Sequence, residues 1–204
     1  DVQKVKMEDD HTKVSISKTD ITDGKEIEGA KLQILDQDGE VVESWTTGEE
    51  HLIEYLPVGT YTLHEEAAVD GYIVANDVEF TVEETGEIQK VKMEDERAMG
   101  QLVIVKTDTD SKAALEGVEF VLLEKETGEE VGRLKTGKDG KAVSELLPIG
   151  TYENGVFKEP ITYVLKETAT LKGYEKTEEE WEIVFTYQND KTPVILSLIH
   201  ISEP

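Results

Sequence analysis

Apolar and polar residues alternate through most of this chain, in short runs such as VSISK, KLQIL, YTLHEE, VEFTV and QKVKMED in the first half and LVIVK, VEFVLL and YVLKET in the second. Side chains of a strand alternate between its two faces, so each run predicts a strand with one face on a core. Turn pairs separate the runs, among them Asp38-Gly39, Thr127-Gly128, Asp139-Gly140 and Asn154-Gly155, and such pairs close hairpins. No stretch keeps a clear helical period. The expectation is an all-β protein built of antiparallel β-sandwiches. Three residues break the polarity of their runs: Lys18 follows Val14 and Ile16, Glu65 follows Tyr61 and Leu63, and Asp95 follows Val91 and Met93. All three are therefore aimed at the interior. An unpaired buried charge is strongly unfavourable, so an amine and two carboxyls sent to one interior are expected to meet there.

The pattern occurs twice. VSISKTD, IEGAKLQIL, YLPVGTY and YTLHEEAAVDGY return in the same order as LVIVKTD, LEGVEFVLL, LLPIGTY and YVLKETATLKGY, which marks a tandem repeat. Lys18 and Lys106 keep the spacing of Gly29 and Gly117, whereas Glu65 and Glu167 lie further apart. The extra length includes YENGVFKEP, expected as a longer hairpin. Residues 3–9, QKVKMED, are identical to residues 89–95, which close the first unit. Residues 1–10 are accordingly read as the last strand of a preceding repeat, with Asp9 as its counterpart of Asp95.

The first sandwich is expected over 11–97 and the second over 98–195, the latter lacking its last strand, because no inward Asp or Asn follows FTYQNDKTPVI at the corresponding place. Asn189 and Asp190 come nearest, in a polar turn. Residues 196–204, LSLIHISEP, are similar to the read-through translation of a common sequencing-library adapter and are set apart as a non-native tail. The alternative is a genuine apolar strand, since Val194 to Ile201 would pair readily.

Charge and composition narrow the partners. With 46 acidic against 21 basic residues the formal charge is −25, which repels nucleic-acid phosphates and anionic lipid headgroups. Neither nucleic acid nor a membrane is an expected partner. The chain has no cysteine, so disulfides, thiolate metal sites and cysteine nucleophiles are excluded. GRLKTGKD at 132–139 falls short of a P-loop, because Asp139 stands where a magnesium-binding Ser or Thr belongs and a hairpin follows where a helix should begin. TDITDG and TDTDS lack the spacing of a calcium loop and read as solvated turns. His11, His51 and His64 show no ligand spacing, so no metal or other cofactor is expected.

Taken in their fixed order, the inward lysine before Thr-Asp, the LPxGTY turn, the YTLHEEAAVDGY segment and the closing VKMED strand resemble the Cna protein B-type, or SpaA-like, domains of Gram-positive surface proteins. The resemblance covers nearly the whole chain. It implies a prealbumin-like, Ig-like Greek-key sandwich and a place outside the cell, on the cell wall, as a stalk module of an adhesin or pilin. It also implies a spontaneous isopeptide bond between a lysine and an Asn or Asp, assisted by a glutamate. Carried over by position, Lys18 is the nucleophile, Asp95 the acceptor and Glu65 the proton-relaying helper. Lys106 and Glu167 match nucleophile and helper in the second unit, where the acceptor is missing, and Asp9 is the acceptor of the preceding repeat. Asp95 replaces the commoner asparagine, so water rather than ammonia would leave. Val69 stands where the family usually has proline.

The chemistry fits such a setting. Burial disfavours charge, which favours the neutral amine that can attack and the neutral carboxyl that can be attacked, and strands that hold the two at near-attack distance make the step intramolecular. The protein reacts once and is consumed, so it is not an enzyme. The implied molecule is a monomer whose partners are neighbouring repeats of the same protein. The alternative function is an adhesive module recognising a host protein or glycan, although the loops lack the aromatic clusters on which sugars stack.

Overall fold

The computed structural model describes residues 10–203, so Asp9 and nearly all of the strand expected over 1–10 lie outside the described residues. Among the described residues there are strands and turns and no helix. The main division of the chain falls between Glu96 and Arg97.

The first unit has eight strands: β1 (Lys13–Asp20), β2 (Lys31–Leu35), β3 (Val41–Thr46), β4 (His51–Glu54), β5 (Gly59–Ala67), β6 (Tyr72–Ile73), β7 (Val78–Val82) and β8 (Ile88–Arg97). They form two four-stranded sheets, ordered β4-β1-β8-β6 and β3-β2-β5-β7. Val14, Ile16, Leu32, Ile34, Leu63, Val82 and Met93 fill the core between them. Each such side chain contributes about 1.5–3 kcal/mol through burial, and the alternation of β1 and β5 follows from which face meets that core. β1 pairs β4, β2 pairs β3 and β5, and β5 pairs β7, all antiparallel, whereas β1 and β8, the first and last strands, run parallel with Lys18 opposite Met93 and Asp20 opposite Asp95. No hairpin joins these two strands. The intervening domain serves as the crossover that parallel neighbours require.

The second unit holds β9 (Met99–Asp108), β10 (Glu119–Glu124), β11 (Glu130–Lys135), β12 (Lys141–Val143), β13 (Leu147–Pro148), β14 (Gly150–Glu153), β15 (Val156–Pro160), β16 (Thr162–Ala169), β17 (Glu180–Val184) and β18 (Val194–Glu203). One sheet is ordered β11-β10-β16-β17; the other has β12, β13 and β18 paired to β9. The P-loop-like stretch lies across β11, as an ordinary hairpin strand. YENGVFKEP forms the hairpin β14–β15, with Asn154 at φ 51° and Gly155 at φ 70° in its turn, the backbone that an Asn-Gly pair tolerates.

One expectation is corrected. The second unit does not lack its last strand: β18 runs parallel to β9 in the register that β8 takes on β1, with Lys106 opposite Ile201 and Asp108 opposite Glu203. Ile195 and Ile201 are buried on its inner face, and that alternation suffices to fill the place beside β9. Glu203 thus holds the backbone position that Asp95 holds in the first unit.

Candidate functional site

The three inward-pointing residues of the first unit meet. Lys18 stands near the end of β1, Glu65 on β5 and Asp95 on β8, with exposures of 1%, 2% and 0%. Each occupies its place because the apolar series before it fixes the strand's inner face: Val14 and Ile16 for Lys18, Tyr61 and Leu63 for Glu65, Met93 for Asp95. Lys18 Nζ lies 2.9 Å from Glu65 Oε2 and donates a hydrogen bond to Asp95 Oδ1. One buried amine therefore touches two buried carboxyls, one from each sheet.

The cluster's polar atoms are unevenly satisfied. Glu65 Oε2 also accepts a hydrogen bond of 2.7 Å from the backbone amide of Ala75, whereas Glu65 Oε1 and Asp95 Oδ2 have no donor. Two ionised carboxylates cannot satisfy each other, but a proton on one of them lets it donate to its neighbour. Burial pushes Asp95 up to about 7; the Lys18 ammonium opposes the shift and the Glu65 carboxyl adds to it. Asp95 can thus carry a proton near neutral pH. A proton passed from the Lys18 ammonium to this carboxyl leaves a free amine against a carboxylic acid, the pair from which an amide can form.

In the second unit Lys106, 0% exposed, and Glu167, 4% exposed, form the matching pair. Lys106 Nζ donates to Glu167 Oε2 at 3.0 Å and lies 5.9 Å from the centre of the Phe120 ring. Of the two residues named as substitute acceptors, Asn189 does not join them. Asn189 is exposed, and its side-chain oxygen accepts from Lys191 N at 2.9 Å and Thr192 Oγ1 at 3.1 Å, closing the turn it sits in.

Three participants escaped the sequence reading. Asp20, expected in a solvated turn, is fully buried; it accepts from the Tyr72 hydroxyl at 2.7 Å and from Thr22 N at 2.7 Å. The third is the Ala75 amide, a backbone group that no side-chain pattern announces. The signal for the first two was present, because Lys-Thr-Asp and Gly-Tyr recur in both units and Tyr174 bonds Asp108 in the same way, at 3.0 Å. The LPxGTY motif also divides. Tyr61 donates to Pro57 O at 2.9 Å, while in the second unit Tyr163, beyond the inserted hairpin, donates to Pro148 O at 2.6 Å. The insertion lies within the motif, and Tyr163 rather than Tyr152 is the counterpart of Tyr61.

No curated protein sequence matches this chain. Among solved structures it is similar to the Bacillus anthracis TIE protein, with 28% identity and a TM-score of 0.63 over 96% of this chain and 34% of that one. The chain therefore spans about a third of that protein's length. It is also similar to a streptococcal ancillary pilin, with 19% identity and a TM-score of 0.40 over 96% of this chain and 63% of the other. A third similar structure is the shaft pilin SpaA of Lactobacillus rhamnosus GG, with 16% identity and a TM-score of 0.38 over 94% and 98% of the two chains. The family model described as the SpaA prealbumin-like fold domain matches residues 12–97 and again 100–197. With both matches spanning the two sandwiches almost end to end, the chain belongs to the SpaA family of prealbumin-like fold domains.

Proposed function

We propose that this chain is a structural stalk segment of a Gram-positive cell-surface protein, adhesin or pilin, whose first unit is stapled by an isopeptide bond between Lys18 and Asp95. The observation that carries this reading is the buried contact of Lys18 Nζ with both Asp95 and Glu65. Family membership supports the cell-surface, load-bearing role, and the neighbouring repeats are its partners. The chemistry balances without a cofactor. The neutral amine attacks Asp95 Cγ, a C–N bond forms, a C–O bond breaks and one water leaves. Glu65, in contact with the amine and facing the acceptor, takes the amine's proton and returns it to the departing oxygen. The strands hold the reactants together, which supplies most of the advantage over the bimolecular reaction. Each molecule reacts once, so the process is autocatalytic without turnover.

The intact mass of the denatured protein tests the reading. The wild type should be lighter than its sequence by one water, and Lys18→Ala and Glu65→Ala should have the full mass. A wild type at full mass would remove the covalent reading altogether.

A further inference from the structure

Asp20 is a fully buried carboxyl that the cross-linking chemistry does not use. It continues the inward series of β1 two residues after Lys18, and it is the register partner of Asp95 on β8. The two strands are tied again just beyond this point, where Ile21 N donates to Asp95 O at 3.0 Å. Tyr72, 0% exposed, starts β6 on the far side of β8. Its hydroxyl bond to Asp20 Oδ2 therefore links the two strands that flank the acceptor strand, at the level of the acceptor itself. Three residues further on, the Ala75 amide donates to Glu65 Oε2, the oxygen that faces Lys18.

We propose that Asp20 and Tyr72 form a positioning latch for the isopeptide reaction. The latch anchors the segment 72–75, that segment's amide at Ala75 orients Glu65, and Glu65 so held meets both the amine and the acceptor. In this role the latch acts on the reaction through Glu65. This inference rests on the cross-linking function proposed above. The second unit offers a contrast. Its Asp108–Tyr174 pair keeps the hydrogen bond but is only half-buried.

The test is the rate of water loss in the full chain, recovered unreacted from inclusion bodies, refolded by dilution and followed by intact mass. Tyr72→Phe keeps the ring and removes the hydroxyl; it should slow bond formation about tenfold to a hundredfold, the range expected when a reacting group is misplaced by a fraction of an ångström to about one ångström. Asp20→Ala should slow it similarly, whereas Asp20→Asn, which keeps one oxygen for Tyr72 but turns an NH2 where Thr22 N needs an acceptor, should react at a rate between those of Asp20→Ala and the wild type. Val82→Ala, in the same core but outside the latch, is the control for lost stability and should react within about threefold of wild type. The latch is overturned if Tyr72→Phe reacts at the wild-type rate, if Val82→Ala is slowed as much, or if Asp20→Asn is as slow as Asp20→Ala. Should Tyr72→Phe fail to fold, the two Asp20 variants decide between these outcomes. A wild type that never loses water overturns the cross-linking function and the latch together, while a wild type that reacts alongside an equally fast Tyr72→Phe overturns the latch alone.

Discussion

At the scale of the residue, the acceptor's identity sets the pH response. Asp95 must be a carboxylic acid to lose water, and burial holds its proton up to about pH 7. A free amine beside a carboxylic acid carries the same single proton as an ammonium beside a carboxylate, so the rate should be level above that value, and below it, where Asp95 takes up a second proton and the free amine is lost, it should fall about tenfold per pH unit. Asparagine at this place does not titrate and loses ammonia instead. Refolding unreacted chain into buffers from about pH 5 to about pH 9 should therefore show the fall in wild type and no such fall in Asp95→Asn. A fall of equal size in both would place the controlling ionisation elsewhere.

The second unit's lysine makes a different prediction at the same scale. Lys106 and Glu167 form a buried ion pair, and removing one member breaks that pairing in a low-dielectric interior. Lys106→Ala should cost about 3–5 kcal/mol of that unit's stability, while the joint replacement Lys106→Met with Glu167→Leu should recover most of the loss. Urea titration of the two variants separates a pair held for its chemistry from one needed for the fold.

At the scale of the element, a glycine makes a tightly constrained contact beside the buried lysine of the second unit. Gly140 has φ +70°, and a Cβ there would stand 2.5 Å from Lys106 O, in the same pairing through which Gly140 O accepts from Lys106 N at 2.8 Å. Neither the backbone angle nor the neighbour accommodates a side chain. Gly140→Ala should destabilise the second unit by about 1–3 kcal/mol, read as a shift in its thermal transition.

Elements also show what the sequence disclosed. Period-two alternation was enough for β1, β5 and β8 and for the convergence of Lys18, Glu65 and Asp95, because burial on one face leaves no freedom of register. It could not disclose that β1 and β8 run parallel, since neighbours distant in sequence carry no turn to fix their direction. Nor could it disclose the Ala75 amide, or that Asp20 in an acidic stretch turns inward to Tyr72. The last strand carries no inward Asp or Asn to mark it and was legible only as the alternative reading, an apolar strand over Val194 to Ile201; β18 is defined by Ile195 and Ile201. Its outer face carries Leu196 and Leu198, 65% and 58% exposed, where β8 presents Lys90, Lys92 and Glu94.

At the scale of the whole molecule, the same two strands decide how a unit answers tension. In the first unit the chain enters at the start of β1 and leaves at the end of β8, and because these neighbours run parallel, a pull on the termini shears them along their length. A covalent bond from Lys18 to Asp95, 77 residues apart in sequence, would carry that load directly from one strand to the other. Everything between the two residues would stay out of the path of force, and only the few residues outside the bond could extend. By the loop-entropy model used for disulfides the closure is worth about 4–5 kcal/mol at equilibrium, but under load the barrier to unfolding is what counts. In the second unit β9 and β18 are likewise parallel, and the hydrogen bonds between them bear the force. Pulled from its ends in a single-molecule instrument, the wild-type chain should therefore show one unfolding step, from the second unit. Lys18→Ala should show two, the added step releasing the length the bond had locked. Two steps in a wild type already shown by mass to be cross-linked would mean that the bond does not lie on the path of force.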